Sequence, residues 1–449
     1  MASCDCTLWS QAVIASYDPA TGICPVFFSP PTYLRRYRRA CHGTRALPML
    51  LPILLLSAAG FTILTTEFVI IGLLPALARD LGVDVAQAGL LVSLFAFTVA
   101  ATGPFSTALM ASLPRKRVFV GALAIFGVAN VVAAWAPNIY IMSIARFVPA
   151  LALPVFWSLS SDTAISLVGP AKAGRAVSMV AFGIVVATVL GIPIGVLIAD
   201  AFGWRAAFAV LAVLSFAKAG LLQRFMPAVQ ASAHAGSLAT QLRSLRDPLL
   251  VGHVLLSLLV FTGMFTAYTY LADMLERLAG FNGQVVGWSM MAFGAVGLIG
   301  NTLGGRMVDR SPIGATALFS VIMAVGLLVM VPVIHTPLWL AFALALWGVA
   351  QSALFIVCHA RVMKAAPHAA AFAASLNISG ANIGIGVGAA LGGRVINSYG
   401  LGALGWAATA VLALALIVAM WLMRATRRAA STQPARNNPA EEVCAAAGG

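Results

Sequence analysis

The sequence predicts an all-α polytopic membrane protein with twelve transmembrane helices in two pseudo-symmetric six-helix bundles. Three observations predict this fold class. The chain has 449 residues, of which 61% are hydrophobic and only 9% are charged, whereas soluble domains carry about 25% charged residues. Twelve apolar runs reach the roughly 17–25 residues that a helix needs to cross a bilayer. One polar stretch, rich in Ala, Ser and Gln, divides these runs into two sets of six.

The apolar runs give the helices in chain order. The first set covers residues 48–76, 87–110, 117–136, 139–165, 175–199 and 204–224, and the second covers 249–272, 285–307, 314–333, 337–360, 371–396 and 401–423. We therefore predict an N-terminal cytoplasmic tail (1–46), an N-terminal bundle (47–226), a cytoplasmic linker (227–247), a C-terminal bundle (248–425) and a C-terminal cytoplasmic tail (426–449). The first tail is either disordered or an artefact of an upstream translation start.

The lysines and arginines orient these helices. Nearly all of them fall in the tails and in alternate loops, while the opposite loops hold only Arg79, Arg205, Arg277 and Arg394. Cytoplasmic loops carry an excess of Lys and Arg, so both termini are predicted to lie in the cytoplasm and the protein in the inner (plasma) membrane. The same bias explains the net charge of +14 without a nucleic-acid partner.

The second half of the chain repeats features of the first. The basic turn Leu113–Arg117 has a counterpart at Gly305–Pro312, and the glycine-rich fifth helix is matched by a glycine-rich eleventh helix. Six-helix halves in parallel repeat are typical of transporters, whose substrate site lies near the midplane between the halves.

Several motifs make the assignment more specific. They are Thr66–Pro75, Ala88–Leu91, Gly191–Gly195, Gly203–Phe208, Gly300–Asn301 with Gly304–Arg306 and Asp309–Arg310, and Ser375–Asn377 with Asn382–Gly384. On these residues the chain resembles the major facilitator superfamily, within its twelve-helix drug:proton antiporter group, nearest to the branch of sugar, purine and chloramphenicol efflux proteins. The resemblance implies the major facilitator fold and efflux of a small organic molecule, such as a drug, sugar or nucleoside, by alternating access and proton antiport, as in multidrug resistance.

The resemblance also sets expectations for cofactors and partners. We expect no cofactor, because the proton gradient supplies the energy, and no metal site. The expected partners are a small-molecule substrate, protons and the lipid bilayer, and the expected oligomeric state is a monomer. The chain departs from the family at three places. The first-half loop motif has Ala111, Ser112 and Pro114, and the fourth helix has Leu153-Pro154. In the seventh helix, Asp273 follows Thr-Tyr-x-Ala at a position where relatives often have proline.

Glu67 and Arg146 are the candidate proton-coupling residues. Glu67 lies in the predicted outer half of the first helix, where an ionised carboxylate costs about 2.5–3.5 kcal/mol on insertion scales and is usually functional. Arg146 of the fourth helix lies at a similar depth, and in the family an arginine of that helix is implicated in proton coupling. A salt bridge between them that breaks on protonation would couple the proton to a conformational change. Alternatively, the pair is a structural contact.

The resemblance also assigns candidate gating residues. Asp162, near the inner end of the fourth helix, is expected to face the basic loop of Arg115 and Lys116 and to help close the inner gate. Asp309 and Arg310 form the second copy of the loop motif, which is expected to hold neighbouring helices together.

Small residues of the fifth helix are expected to serve close packing, because they let helix backbones approach. In the antiporter group this motif is associated with export. The residues of the motif are Gly191, Pro193 and Gly195, and the candidate residues of the substrate cavity are Phe95, Trp157, Tyr268, Trp288, Gln351, Asn377 and Asn382.

Other classes of protein are less consistent with the sequence. It contains no Gly-x-x-x-x-Gly-Lys-Ser/Thr loop for an ATP-driven pump and no His-Glu-x-x-His zinc motif, and we expect no enzyme. Two alternatives to proton antiport stay open: a proton-independent facilitator, and a polytopic sensor that transports nothing.

Overall fold

The computed structural model describes residues 46–110, 112–169, 173–227, 229, 247–366 and 370–432. The chain divides into two compact units, Met1–Pro48 and Met49–Gly449. Nearly all of the first unit lies outside the described residues, and the helices belong almost entirely to the second. Most of the predicted linker 227–247 and of the predicted tail 426–449, and the N-terminal tail up to residue 45, also lie outside the described residues.

Twelve helical spans make up the described part of the chain, which contains no strand, and each is long and apolar enough to cross a membrane. The predicted fold class is therefore confirmed. In order the spans are α1 (Ala46–Leu81), α2 (Val85–Met110), α3 (Arg115–Ala134), α4 (Ile139–Val168), α5 (Ala173–Val186, π-helical Ala187–Gly191 and Ile192–Phe202), α6 (Trp204–Phe225), α7 (Pro248–Tyr268, continued by Leu271–Arg277), α8 (Gly283–Arg310), α9 (Pro312–Met330), α10 (Pro337–Ala365), α11 (Ala370–Tyr399) and α12 (Leu404–Thr432).

Several helices are longer than the apolar runs from which they were predicted. Helix α1 extends beyond the predicted end at residue 76 and includes Arg79 and Asp80. It ends at Leu81, before Gly82, whose φ of 64° is easily adopted only by glycine. The predicted boundary followed the loss of hydrophobicity, whereas the helix ends where the backbone turns. Side chains also fix helix starts: the Asn138 side chain accepts a hydrogen bond of 3.0 Å from the Ile141 amide at the start of α4.

The apolar core joins the first six and the last six helices at the predicted outer end. One continuous cluster includes Phe68, Met142 and Phe208 from the first six helices and Phe265 and Met290 from the last six. The rings of Phe68 and Phe265 lie 5.8 Å apart, which brings α1 directly against α7. The two sets of helices are therefore packed together at this end.

At the predicted inner end the cores are separate. The inner parts of the first six helices form their own cluster, which includes Ile53, Phe119, Phe156 and Leu222. A small third cluster around Leu250, Val362 and Ala373 belongs to the last six helices, whose other inner-end residues, such as Val308 and Leu422, are part of the continuous cluster. The molecule is thus closed by apolar packing at the outer end, with no apolar cluster joining the two sets among the described residues of the inner end.

Two seams between the first and last six helices are lined by glycine. Where α5 meets α8, a Cβ atom at Gly294 would lie 2.9 Å from the Thr188 carbonyl oxygen. Where α2 meets α11, a Cβ atom at Gly386 would lie 2.7 Å from the Phe97 ring, and the Ser93 hydroxyl donates a hydrogen bond of 2.8 Å to the Gly386 carbonyl oxygen. At both seams a glycine lets the facing helix approach closely, as expected where small residues drive helix association in a bilayer.

Substitution of Gly183 in α5 tests this close packing. A methyl group there would overlap the carbonyl oxygen of Ser57 in α1, and a backbone atom cannot rotate away. We expect Gly183→Ala to destabilise the protein by roughly 1–3 kcal/mol, measured as a lower melting temperature of the purified protein. Gly174→Ala, in the first turns of the same helix with no atom near the added methyl group, is the matched control. Equal melting temperatures for the two variants would contradict this close packing of α5 on α1.

Candidate functional site

Arg146 is held inside the protein by the backbone of α1. Its side chain is 1% exposed, and its guanidinium donates hydrogen bonds of 2.5 Å to the Thr66 carbonyl oxygen and 2.6 Å to the Glu67 carbonyl oxygen. The same group lies 4.5 Å from the centre of the Phe95 ring in α2. Arg146 therefore ties α4 to α1 and α2 at the turn that carries Glu67.

This arrangement differs from the salt bridge expected between Glu67 and Arg146. Within the described residues, no hydrogen bond or ion pair ends on the Glu67 carboxylate, and the guanidinium bonds to the two carbonyl oxygens instead. The physical reason is that a helix carbonyl oxygen has a second lone pair free after its helical hydrogen bond. Two successive carbonyl groups match the planar fork of arginine.

Glu67 is buried beside a polar patch of α1. Its side chain is 8% exposed, and Thr65 and Thr66 beside it are also buried. The Thr66 hydroxyl accepts a hydrogen bond of 3.1 Å from the Asn130 amide of α3. The next residue, Phe68, is the one that contacts Phe265 of α7. A change of charge at Glu67 thus occurs one residue away from the contact between α1 and α7.

The glycine motif of α5 packs against the same stretch of α1. A methyl group at Gly191 would overlap the Thr65 hydroxyl, and one at Gly195 would overlap the Val69 side chain. Pro193 follows the π-helical turn Ala187–Gly191. Because proline lacks an amide hydrogen, it cannot complete regular α-helical bonding, which accounts for an irregular turn at this point. The π-helical turn was not predicted from the sequence, although Pro193 within an apolar span was a signal for it.

Tyr268 and Gln351, two of the candidate cavity residues, lie in an aromatic cluster of the last six helices. The Tyr268 ring is stacked on Phe293 at 5.6 Å, and Trp347 contacts both rings. The Trp347 indole donates a hydrogen bond of 3.2 Å to Gln351 Oε1. The residues that build this cluster were not predicted from the sequence, because an aromatic residue in an apolar helix has no distinctive pattern. They are Phe261, Phe265, Phe293, Trp347 and Phe355.

Three buried amide side chains keep unused hydrogen-bonding capacity. Gln351 Nε2, Asn377 Oδ1 and Asn382 Oδ1 have no hydrogen-bond partner in the part of the chain that the structure describes. The Asn377 amide nitrogen is 3.5 Å from His359 Nδ1, and the Asn382 amide nitrogen bonds to the Ile378 carbonyl oxygen at 3.0 Å. Buried amide atoms of this kind can bind polar groups of a ligand.

The other candidate cavity residues lie apart from this cluster. Phe95 is buried under Arg146. Trp157 is partly buried, with its ring edge-on to Phe156. Trp288, in contrast, has 54% of its surface exposed, so in this conformation it does not share the buried environment of the others.

The predicted gating residues form two ion pairs at the inner end. Buried Arg115 at the start of α3 pairs with Asp162 of α4 at 2.9 Å, while Lys116 is partly buried. Asp309 of α8 pairs with Lys364 of α10 at 2.7 Å, and Lys364 also bonds to the Val308 carbonyl oxygen at 3.1 Å. Lys364 was not among the predicted gating residues. Arg310, the other member of the second loop motif, is exposed.

Contacts that were not predicted from the sequence hold the outer end together. Arg79 of α1 forms an ion pair with Glu276 of α7. Buried Tyr270, also in α7, donates a hydrogen bond of 2.8 Å to the Ala389 carbonyl oxygen of α11. A methyl group at Gly89 of α2 or Gly393 of α11 would collide with the Tyr270 ring or hydroxyl group. Tyr270 therefore fills the space between α2 and α11.

Comparisons with known proteins extend these observations to a family. The sequence profile of the Major Facilitator Superfamily matches residues 56–377 and 254–445. The chain is 32% identical over 379 residues to the uncharacterized MFS-type transporter YtbD of Bacillus subtilis (strain 168), an alignment covering 82% of this chain and 94% of that protein. It is 30% identical over 367 residues to a probable sugar efflux transporter of Helicobacter acinonychis (strain Sheeba), with coverage of 82% and 94%.

The fold is also found among solved structures. The crystal structure of the nucleoside transporter NupG superimposes with a TM-score of 0.69 at 14% sequence identity, covering 83% of this chain and 99% of that one. The similarity therefore extends over nearly the whole length of each of these proteins.

Proposed function

Because this chain belongs to the major facilitator superfamily and is a multi-pass membrane transporter, we propose that it exports a small organic molecule from the cytoplasm in exchange for protons. Export proceeds by alternating access, in which the first and last six helices rock about a central substrate site. The protein lies in the cell inner membrane with both termini in the cytoplasm, as the charge distribution indicates.

One observation supports proton coupling most directly. Glu67 is a buried carboxyl group whose oxygen atoms form no hydrogen bond or ion pair with any described residue, while Arg146 fixes the backbone of the same turn. The positive charge of Arg146 acts on this carboxyl group, but no hydrogen bond from a described residue replaces the hydration that burial removes. A group in this setting takes up a proton when its surroundings exclude water and releases it when water enters. That exchange is what proton-driven transport requires of a carrier group.

The position of Glu67 connects this proton to the conformation. Phe68 contacts Phe265 across the meeting point of α1 and α7, and the Gly191 and Gly195 turns of α5 pack on the same stretch of α1. When Glu67 is neutral, this stretch can stay packed in a dry environment, whereas the ion favours hydration and separation of the helices. A proton taken up from outside therefore favours closure of the outer end.

The proposed substrate is a small polar molecule such as a sugar or nucleoside, or a drug with similar groups. Its binding is supported by the aromatic cluster around Tyr268 and by the unused amide atoms of Gln351, Asn377 and Asn382. Flat ring faces pack against the apolar faces of a ligand, and amides bond to its polar groups. The relative named as a probable sugar efflux transporter supports both the substrate class and the direction of transport.

An assay in everted membrane vesicles tests this function. With the vesicle lumen acidified, addition of sugars, nucleosides and drugs one at a time is expected to cause proton loss from the lumen for at least one compound. The same compound should accumulate in vesicles that contain the protein and not in vesicles that lack it. Lumenal pH is followed with a fluorescent dye, and uptake with labelled compound.

The outcomes separate the alternative functions. If the compound enters until its concentrations inside and outside are equal, without accumulation and without a change of lumenal pH, the protein is a proton-independent facilitator. Neither uptake nor proton movement for any member of a wide panel would favour a sensor that transports nothing.

A further inference from the structure

Asp273 is a second buried acid, and the proposed mechanism does not use it. It lies on the seven-residue helix Leu271–Arg277, which follows the break in α7 at Thr269–Tyr270. Its exposed fraction is 1%, so it is even less accessible than Glu67. An apolar side chain of similar size would fill the same space, so helix packing alone does not require a carboxyl group here.

The carboxyl group of Asp273 is poorly compensated. Oδ2 lies 3.4 Å from Arg277 Nη1, at the long end of ion-pair distances, and the Arg277 side chain is 58% exposed. Oδ1 is buried and has no hydrogen-bond donor among the described residues. A mostly solvated arginine stabilises a buried carboxylate only weakly, and an uncompensated buried charge is costly. The Asp273 carboxyl group therefore lacks the close partners that a permanently ionised side chain would need.

The charged groups near Asp273 belong to the outer-end contacts. On its own helix they are Arg277 and Glu276, and from α1 the charge of Arg79 reaches it. Tyr270 precedes it by one turn. Glu276 forms the ion pair with Arg79 across the α1–α7 contact. Because Asp273 and Glu276 lie on one short helix, a movement of this helix away from α1 would expose Asp273 and separate Glu276 from Arg79.

We propose that Asp273 is a second proton-binding group, which keeps a proton while the outer end is closed and gives it to the external water when that end opens. The inference rests on the proposed proton-coupled cycle and deepens it. On opening, the O–H bond of Asp273 breaks and the proton goes to water. On closing, the carboxylate takes up a proton from the same external side. This proton is not transported, so it sets the dependence of gating on external pH and leaves the transport stoichiometry unchanged.

Distance measurements between spin labels test the proposal without a substrate. Pro137 and His335 are exposed and lie in predicted outer loops of the first and last six helices, respectively. The native cysteines of the full chain are replaced, and spin labels are attached at Pro137→Cys and His335→Cys. The labelled protein is reconstituted in lipid nanodiscs and titrated from mildly acidic to mildly alkaline pH. We expect the separation of the labels to shift from short to long as the pH rises. Asp273→Asn should lose the part of the transition that depends on Asp273, and Asp273→Asn combined with Glu67→Gln should keep the short separation at every pH.

Three further variants make the result specific. Asp273→Glu retains a titratable group and should restore the transition with a shifted midpoint, which shows that loss in the Asn variant is not misfolding. Asp84→Asn, which removes an exposed carboxyl group at the same end, should titrate like the parent protein. Glu67→Gln should lose proton-driven transport in vesicles but keep the pH-dependent change in label separation that depends on Asp273. The two measurements therefore test the role of Asp273 and the role of Glu67 separately.

Several results would overturn the proposal. They are a parent protein whose label separation does not change with pH, an Asp273→Asn variant that titrates like the parent, and a transition that follows sodium concentration at constant pH.

Discussion

Replacement of Arg146 by lysine is expected to cause a large loss of both stability and transport. The guanidinium holds two successive carbonyl oxygens of α1, those of Thr66 and Glu67, and lies against the Phe95 ring. Lysine offers a single ammonium group and cannot reproduce this fork. Each hydrogen bond to a charged group contributes about 1.5–3 kcal/mol, so the unfolding free energy should fall by about that amount.

The measurements are thermal unfolding of the purified protein and substrate efflux from cells. The control is Arg394→Lys, a conservative change at an exposed position of α11, which should leave both unchanged. If Arg146→Lys has the same melting temperature and efflux rate as the control, the two backbone hydrogen bonds contribute nothing to stability or transport.

Replacement of Glu67 by glutamine should separate the two effects, with proton-driven transport lost and stability kept. Glutamine has nearly the shape of the protonated acid, and no described residue depends on the carboxylate for an ion pair, so the melting temperature should be almost unchanged. Proton-driven accumulation should fall by roughly tenfold or more, a change equal to about 1.4 kcal/mol per factor of ten. Exchange of labelled for unlabelled substrate across vesicles, which needs no proton gradient, should continue.

Two comparisons make the Glu67 result interpretable. Glu67→Asp keeps a carboxyl group and should retain part of the proton-driven accumulation, while Asp84→Asn should behave like the unmodified protein. The proposal that Glu67 carries the proton is wrong if vesicles with Glu67→Gln accumulate substrate against its gradient as well as vesicles with the unmodified protein do.

The sequence predicted the helices well because bilayer-spanning segments are defined by length and hydrophobicity. The predicted start of the fourth helix at residue 139 agrees with the structure, in which the Asn138 side chain caps α4. The end of α1 was misplaced because a helix continues past its apolar part until the backbone turns at Gly82. Local chemistry therefore predicts where helices exist better than it predicts where they end.

The contacts of the candidate site residues were not predicted from the sequence. Glu67 and Arg146 stood out because charges are rare in membrane spans. The partners of Arg146 proved to be backbone carbonyl groups, which every residue has and which no sequence pattern reveals. The role of Tyr270 depends on glycines in two other helices, Gly89 and Gly393, so it emerges only when the helices are assembled.

The glycine-lined seams between α2 and α11 and between α5 and α8 have a consequence for the speed of transport. Large side chains fit against the glycines of these seams: Phe97 lies at Gly386, Leu197 at Gly287, and Tyr270 at Gly89 and Gly393. When side chains of one helix fit into grooves of another, sliding requires many rotamers to change together. We therefore expect the turnover rate to depend on the withdrawal of these side chains as well as on opening of the polar contacts at the outer end, such as Arg79–Glu276.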